Sequence, residues 1–324
     1  MSKAAKVWLI LAAVLVILGT VMFTVSMSAA NWNFRDLGTQ KFVTETYQIT
    51  EEFGEFGKIS IQAVTADITV RPSTDGKCSV ATKLGKNVNL SIEVQNGVLT
   101  INATDTGKWY EHIGMGFGDS YITVYLPADS YETINIKSIT GDTEISGGIG
   151  FKHIGIATET GEVSNYASAT GSVILKATTG KIKAKNISSA VLDVSATTGN
   201  IEISGFSGGD IRADISTGKI ELSDIRCKNL RSKGTTGKIE LEDVIASGNI
   251  NIERSTGDVE LDDCDAGELY IKTGTGSISG SLLSDKIFVA KSSTGKVRVP
   301  GTTTGGKCEL ISNTGNIRIE IEGK

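Results

Sequence analysis

The sequence predicts an all-β fold: a parallel β-solenoid (β-helix) of about ten coils of 19–20 residues, with an irregular β-rich amino-terminal cap and one preceding transmembrane helix. Three observations predict it: a short motif that returns at a fixed period, apolar residues spaced two apart around that motif, and a long uncharged stretch near the amino terminus. A period of this length is typical of one small unit stacked on copies of itself, because a single unit cannot bury its apolar side alone.

The repeated motif is Thr-Gly, followed two positions later by Ile or Val in every copy except one, where Thr143 stands. It occurs ten times in steps of 19 or 20 residues, with its glycines at Gly141, Gly161, Gly180, Gly199, Gly218, Gly237, Gly257, Gly276, Gly295 and Gly315. Spacing of two is the strand period, so the apolar pairs on both sides of the glycine predict two short strands that meet at a corner. Glycine suits this corner because it reaches positive φ without a Cβ clash.

Each coil needs a further turn to close, and the sequence predicts one at an apolar position seven residues after the glycine. Its members are Ile187, Phe206, Ile225, Val244, Cys264 and Leu283. Each strand is expected to pair with its equivalent in the next coil along the chain, at a spacing of ~4.8 Å.

The pattern divides the chain into four parts. Residues 1–30 form a membrane anchor, 31–41 a polar stem, 42–135 an irregular β-rich capping region and 136–324 the regular solenoid repeats. The capping region alternates like strands but lacks the strict motif, as atypical end repeats of solenoids usually do. At the far end, Ile317–Ile321 alternates with charged residues and is expected to protect the final edge.

The amino-terminal stretch from Val7 to Met27 holds 21 residues without a charge, preceded by Lys3 and Lys6. About 20 apolar residues suffice for a helix to cross a bilayer, so residues 7–27 are predicted to contact the cell membrane as a single-pass span. The lysines predict a cytoplasmic amino terminus and an extracytoplasmic body. A cleaved signal peptide remains the alternative, because Ser28-Ala29-Ala30 suits cleavage.

Composition excludes several classes of function. The formal net charge is −5 and no basic patch occurs, which argues against nucleic-acid binding. The four cysteines follow no metal spacing and are interpreted as small buried thiols. No cofactor or metal site is predicted: the acids of residues 262–265 alternate between strand faces, and the two histidines, His112 and His153, lie in different settings.

Charged residues form columns on the outside of the predicted stack. Glutamates occupy the third position after the glycine in four successive coils, and lysines recur at the first position. The columns are interpreted as a solvated face that prevents edge-to-edge sticking. A binding face for cationic peptides or a sugar polymer is the alternative.

The segment 107–118 interrupts the strand pattern with four glycines and large apolar residues. A loop of this length in a compact β protein is usually functional or disordered, and this one is too aromatic for disorder. Trp109, Tyr110 and Phe117 are therefore the candidate partner-binding residues, as an apolar lip for a partner, a peptide or the outer membrane leaflet. The alternative is that they plug the open end of the solenoid.

The chain resembles a known family through its strand Tyr121–Pro127, which ends in Leu-Pro, through Ile134–Lys137, and through the Thr-Gly corners. It is similar over about residues 42–320 to the bacterial β-strand-repeat envelope proteins of unknown function that are named putative adhesins. The resemblance implies a cell-envelope location and a role in adhesion or envelope-stress sensing, and it implies no catalytic residues.

The expected function is therefore that of a membrane-anchored extracytoplasmic binding or scaffold protein rather than an enzyme. Its expected partners are an envelope protein, a peptide or a polysaccharide. The alternative is a β-helix enzyme that acts on an envelope polysaccharide, which would need acids and bases converging in one groove.

Overall fold

The computed structural model describes residues 3–29, 42–49, 55–105 and 120–322 of the 324 residues. A helix, α1, covers Lys3–Ala29, and 22 strands in a single sheet follow it. The strands are β1 Phe42–Ile49, β2 Lys58–Thr65, β3 Asp67–Pro72, β4 Cys78–Gly85, β5 Val88–Gln95, β6 Val98–Asp105, β7 Tyr121–Leu126, β8 Ser130–Thr140, β9 Thr143–Ile145, β10 Gly150–Thr160, β11 Val163–Asn165, β12 Ala169–Lys185, β13 Val191–Ser207, β14 Asp210–Cys227, β15 Leu230–Thr236, β16 Ile239–Thr256, β17 Val259–Thr275, β18 Ile278–Leu282, β19 Lys286–Ser292, β20 Val297–Arg298, β21 Gly306–Thr314 and β22 Ile317–Ile321.

The strands stack in parallel, coil upon coil, which confirms the predicted all-β parallel solenoid. Equivalent residues of successive coils pair in register, as in Ile201 with Ile220 and Ile220 with Ile239. These side chains are fully buried and form the continuous core. The stack has about nine turns, whereas the sequence predicted about ten coils.

The Thr-Gly corners separate a first face, formed by the strand before the corner, from a second face, formed by the strand after it. At nine of the ten corner glycines φ lies between 128° and 151°. A Cβ on Gly218 would lie 1.6 Å from the carbonyl oxygen of Gly199 in the preceding coil. Only glycine therefore fits both the backbone conformation and the stacking distance at this corner.

The closing turn that the sequence predicts contains a polar position that the sequence analysis missed. It lies six residues after the glycine, where non-glycine residues take the left-handed conformation, with φ between 50° and 54° at Asn186, Asp224, Asp243 and Asp263. Asn and Asp tolerate this conformation better than other side chains, so their recurrence at one position was the available signal.

One member of the predicted closing column is wrong. Leu283 is 37% exposed, and its neighbour Leu282 is buried and pairs with Cys264 instead. A bulge between Leu261 and Cys264 shifts the register by one residue, which turns the following side chain to the opposite face. The other five predicted members are buried.

The two ends of the stack do not follow chain order. At the carboxyl end, β21 lies between β17 and β19, and β22 lies between β18 and β20. The last coil in the sequence, β21–β22, therefore lies inside the stack, between the coil of β17–β18 and the coil of β19–β20. The prediction that Ile317–Ile321 protects the final edge is wrong, because β19 and β20 form that edge.

The amino end repeats this inversion. β2 lies between β6 and β8, and β3 lies between β7 and β9. Antiparallel strands cover the end: β5 pairs with β6 on the first face, while β4 pairs with β7 and β1 with β4 on the second. The outermost strands at this end therefore run antiparallel to the strands with which they pair.

The amino-terminal helix forms where the sequence predicts it. Within the described residues, however, no helix meets the length and apolar character required to cross a bilayer. The predicted transmembrane helix is therefore not supported by the structure. The predicted boundaries after residues 30, 41 and 135 stay predictions.

Candidate functional site

A furrow of about 640 Å³ runs along the first face, across six coils from β6 to β13. In each coil, one inward-facing residue is the last before the corner. The outward-facing residues on either side of it form the two walls of the furrow. Strand pairing sets one wall as a continuous row of side chains in the order Asn102, Gln62, Lys137, Ala157, Lys176 and Ser195. The furrow therefore follows the long axis of the stack and crosses the strands.

The inward position between the two walls holds only small residues along the furrow. It is occupied by Ala103, Ala63, Ser138, Thr158, Ala177 and Ala196, and the next coil places Ile215 there. The opposite wall includes Ile139, which is 45% exposed, and Glu159. Backbone hydrogen bonds along the stack are already used by strand pairing, so a ligand in the furrow would meet mainly side chains.

The charged columns predicted from the sequence lie on the second face and are extensively ion-paired. Lys219 contacts Glu221 and Glu240, at 2.5 and 2.6 Å, and Lys238 contacts Glu240 and Glu260, at 2.7 and 2.6 Å. Each lysine thus bridges glutamates of two successive coils. The like-charge repulsion within the glutamate column is therefore offset between Glu221 and Glu240 and between Glu240 and Glu260.

The strongest ion pairing in this face surrounds Glu202. Lys181 lies 2.5 Å from its carboxylate and Lys185 binds the other oxygen. Hydrogen bonds from these two ammonium groups hold the pKa of the Glu202 carboxyl at about 2. The carboxylate is fully committed to its lysines at neutral pH, which leaves it little capacity to act as a base or to bind a metal.

The predicted site residues Trp109, Tyr110 and Phe117 lie outside the described residues, as does His112. The chain reaches that segment from β6, whose Asn102–Thr104 line one end of the furrow, and resumes at β7. The structure therefore neither confirms nor contradicts the predicted lip.

The described residues offer no activated nucleophile. All four cysteines are buried and free, which confirms their interpretation as small buried thiols. Burial raises the pKa of Cys227 and Cys264 to about 11, and that of Cys78 and Cys308 to about 12, so the reactive thiolate is disfavoured.

Other candidate groups also have structural partners. The Nδ1 atom of His153 lies 2.9 Å from the Ser172 hydroxyl of the next coil. Asp262 and Asp263 share the Ser281 hydroxyl, and Asp265 contacts the buried Lys286 at 2.6 Å. In the part of the chain that the structure describes, no group of His, Cys, Asp and Glu is arranged to hold a metal ion.

A buried arginine lies inside the stack in addition to Lys286. The Arg254 guanidinium is 4% exposed, and burial lowers its pKa to about 10. It donates to Ser232 at 3.2 Å and fills the space that a side chain at Gly234 would need. Its Nε and Nη1 atoms have no hydrogen-bond partner among the described residues. Small residues at 232 and 234 are therefore needed to accommodate this arginine in the core.

The sequence matches the Toastrack DUF4097 family over residues 56–242 and 210–324, from just before β2 to the carboxyl terminus. The chain belongs to this family. Toastrack DUF4097 is a domain of unknown function, so membership fixes the fold of this protein and no activity. The predicted resemblance to the family of putative adhesins is confirmed.

Three solved structures are similar to this Toastrack protein at low sequence identity. A putative adhesin from Bacteroides fragilis is 16% identical, covers 87% of this chain and 99% of its own, and has a TM-score of 0.41. A putative adhesin from Parabacteroides distasonis is 13% identical, with coverage of 87% and 98% and a TM-score of 0.44. A putative lipid binding protein from the same organism is also 13% identical, with the same coverage and a TM-score of 0.37. No curated protein matches the chain.

Proposed function

We propose that this Toastrack protein is an extracytoplasmic binding and scaffold protein of the bacterial envelope, and that its furrow receives an extended anionic polymer. The observation that carries the proposal is the furrow wall with Lys137 and Lys176 in one row. They are separated by Ala157 alone, so two coil steps, or ~9.6 Å, lie between them. A polymer with regularly spaced negative groups could contact both lysines while its backbone follows the furrow.

Binding is favoured over catalysis by the composition of the furrow. Among the furrow-lining residues that the structure describes, Glu159 is the single carboxylate. Hydrolysis of a glycosidic bond usually requires two carboxylates on opposite sides of that bond. The enzyme alternative therefore has less support than binding.

The experiment uses the full chain in detergent micelles, titrated with a poly(glycerol phosphate) polymer and with an uncharged glucan. We expect binding of the anionic polymer only, weakening as salt rises because the lysines are exposed. Replacing both Lys137 and Lys176 with Glu should weaken binding at least about tenfold. The matched control carries the same charge change at Lys152 and Lys272, which lie outside the furrow.

Equal binding by the two double variants would contradict the furrow as the site. Release of shortened polymer during the titration would instead favour the polysaccharide enzyme. Absence of binding to both polymers would reject an anionic polymer as the ligand.

We further propose that residues 7–27 attach the protein to the cell membrane, with the body outside the cytoplasm. The sequence supports this through its 21 uncharged residues after two lysines. Among the α1 side chains whose exposure the structure describes, most large apolar ones are exposed, including Leu15, Val16 and Met22 at 62–68%. Such a surface is costly in water unless lipid or protein covers it.

Protease added outside intact cells tests this attachment. It should remove the body and leave a short amino-terminal fragment in the membrane fraction. Recovery of a soluble secreted protein that begins near residue 31 would show that the segment is a cleaved signal peptide.

The aromatic residues of segment 107–118 stay a proposal for a partner-binding lip. Replacing Trp109 and Phe117 with Ser tests it, since loss of binding to membranes or envelope extracts at unchanged thermal stability supports the lip. A large fall in the melting temperature would support the plug instead.

A further inference from the structure

The last coil in the stack exposes an unusual amount of apolar surface. Outside α1, eight large apolar side chains in the described residues are exposed, and four of them belong to this coil and its approach: Leu283 at 37%, Ile287 at 47%, Val289 at 50% and Val297 at 40%. Val297 stands at a position that is buried in most other coils. It is exposed here because no coil lies beyond it.

The same coil ends in an unpaired strand. β19 pairs with β21 on one side, and on its other side no strand pairs with it among the described residues. Unpaired edges are templates for pairing with another chain, and proteins usually protect them with charge or cover them. At the opposite end of the stack the outermost strands, β5 and β1, are added antiparallel, and each also pairs on one side only among the described residues.

We propose that this edge is a self-association surface at which β19 pairs antiparallel with β19 of a second copy, about a two-fold axis through Val289. In this arrangement Val289 faces the partner's Val289. Phe288, which points inward, lies opposite the partner's Ala290, so a large side chain meets a small one. Ile287 lies opposite the partner's Lys291, whose aliphatic stem can cover it.

The register also avoids placing like charges opposite each other, because Lys286 would face the partner's Ser292. Lys286 is moreover turned inward, where it contacts Asp265 and donates to the Ala266 carbonyl oxygen at 2.7 Å. A two-fold contact of this kind is self-complementary and closes. A head-to-tail contact would instead join β19 to an edge strand of the amino end, and it would continue into a filament.

The exposed cations of this coil allow the salt dependence of binding to distinguish a second copy of the chain from an acidic peptide strand. Lys291, Lys296 and Arg298 are exposed and would be brought closer by self-association. Salt screens such repulsion, so the dimer should strengthen as ionic strength rises. An acidic peptide at the same edge would bind more weakly as salt rises.

The test is covalent trapping of the full chain in detergent micelles under mild oxidation. Residues opposite each other in an antiparallel pair have Cα atoms about 4.5–5.5 Å apart, which is within disulfide reach. Val289→Cys should therefore give a covalent dimer, whereas Val191→Cys, at a valine of similar exposure in mid-stack, should not. The four native cysteines are buried and should not compete.

Sedimentation velocity over a range of concentrations supplies the second measurement. Val289→Lys places two like charges face to face and should raise the dissociation constant at least about tenfold, whereas Val191→Lys should leave it unchanged. Both substituted positions are exposed, so the melting temperature should change little. A monomer at all concentrations, equal trapping at the two cysteines, or a dimer that persists in Val289→Lys would overturn the proposal.

Discussion

Single residues in this protein are constrained mainly by the stacking distance between coils. Ile220 and Ile239 are fully buried neighbours, while Glu221 between them in the pattern faces outward and pairs with Lys219. The strand period predicted this alternation, and the structure confirms it. What it could not show was Arg254, because an inward arginine breaks the apolar pattern and is accommodated only by the small Ser232 and Gly234 of the neighbouring coil.

The corner glycines give a prediction at this scale. Gly218→Ala would combine a φ of 141° with a Cβ 1.6 Å from a backbone carbonyl oxygen, which neither neighbouring chain segment can relieve without moving a coil. We expect a loss of at least about 3 kcal/mol in the free energy of unfolding, measured by denaturant titration.

Gly301→Ala is the matched control, because a Cβ there would meet nothing within 4 Å and its φ is not positive. It should change stability by less than about 0.5 kcal/mol. Similar losses for the two alanines would mean that the stacked corner can relax, contrary to its geometry here.

At the scale of whole strands, the 19–20-residue period predicted the strands, their inward faces and the outward glutamate and lysine columns, since all of these repeat. The left-handed residues of the closing turn, Asp224, Asp243 and Asp263, were not predicted, because the turn was identified from its apolar residues alone. The bulge that exposes Leu283 was beyond prediction, because a single inserted residue shifts the register without changing the motif.

The ion-paired row gives a pH prediction through Glu202. Its pKa of about 2 lies below the ordinary glutamate value of about 4.3, so the carboxylate stabilises the fold above pH ~4.3. That contribution is lost as pH falls toward 2. We expect it to be about 1 kcal/mol or less, because solvent screens charges on an outer face.

Thermal melting from pH 6 to pH 2 measures this contribution as the difference between the wild type and Glu202→Gln. The difference should be largest near neutrality and should vanish near pH 2. Glu159→Gln is the control for the loss of a carboxylate, since Glu159 forms no ion pair with a described residue. A Glu202→Gln difference that stays constant with pH would contradict the ion-pair origin.

The order of coils is a property of the whole molecule, and the sequence could not predict it. Gly276, Gly295 and Gly315 carry the same motif, so each coil is an acceptable neighbour for the others. The structure places the corner of Gly315 between those of Gly276 and Gly295. The two inversions keep the ordered terminal segments of the solenoid, β2–β3 and β21–β22, inside the stack rather than at its ends.

This order predicts an asymmetry between two deletions of similar length. Ending the chain at Thr303 removes β21 and β22, which separates the outermost coil from its only neighbours. Deleting residues 286–305 instead removes the outermost coil and leaves the rest of the stack in contact, with Asp285 joined to Gly306. We expect the terminal truncation to lower the melting temperature more and to make residues 278–303 sensitive to protease.

A stack in chain order would give the reverse result, because the terminal truncation would then remove only an end coil. Equal protease resistance of residues 278–303 in the truncated and full-length chains would also argue against the inserted order.

The insertion of β2 between β6 and β8 bears on how the protein would respond to mechanical load. A pull on the amino-terminal segment first reaches β1, whose single partner strand among the described residues is β4, and then β2, which is hydrogen-bonded on both sides. Tension along β2 loads two ladders in shear at once, so many bonds must break together rather than one after another. A chain that entered at the end of the rod would instead unwind coil by coil. The inserted strand therefore makes the solenoid suited to staying folded while it is held at one end and pulled.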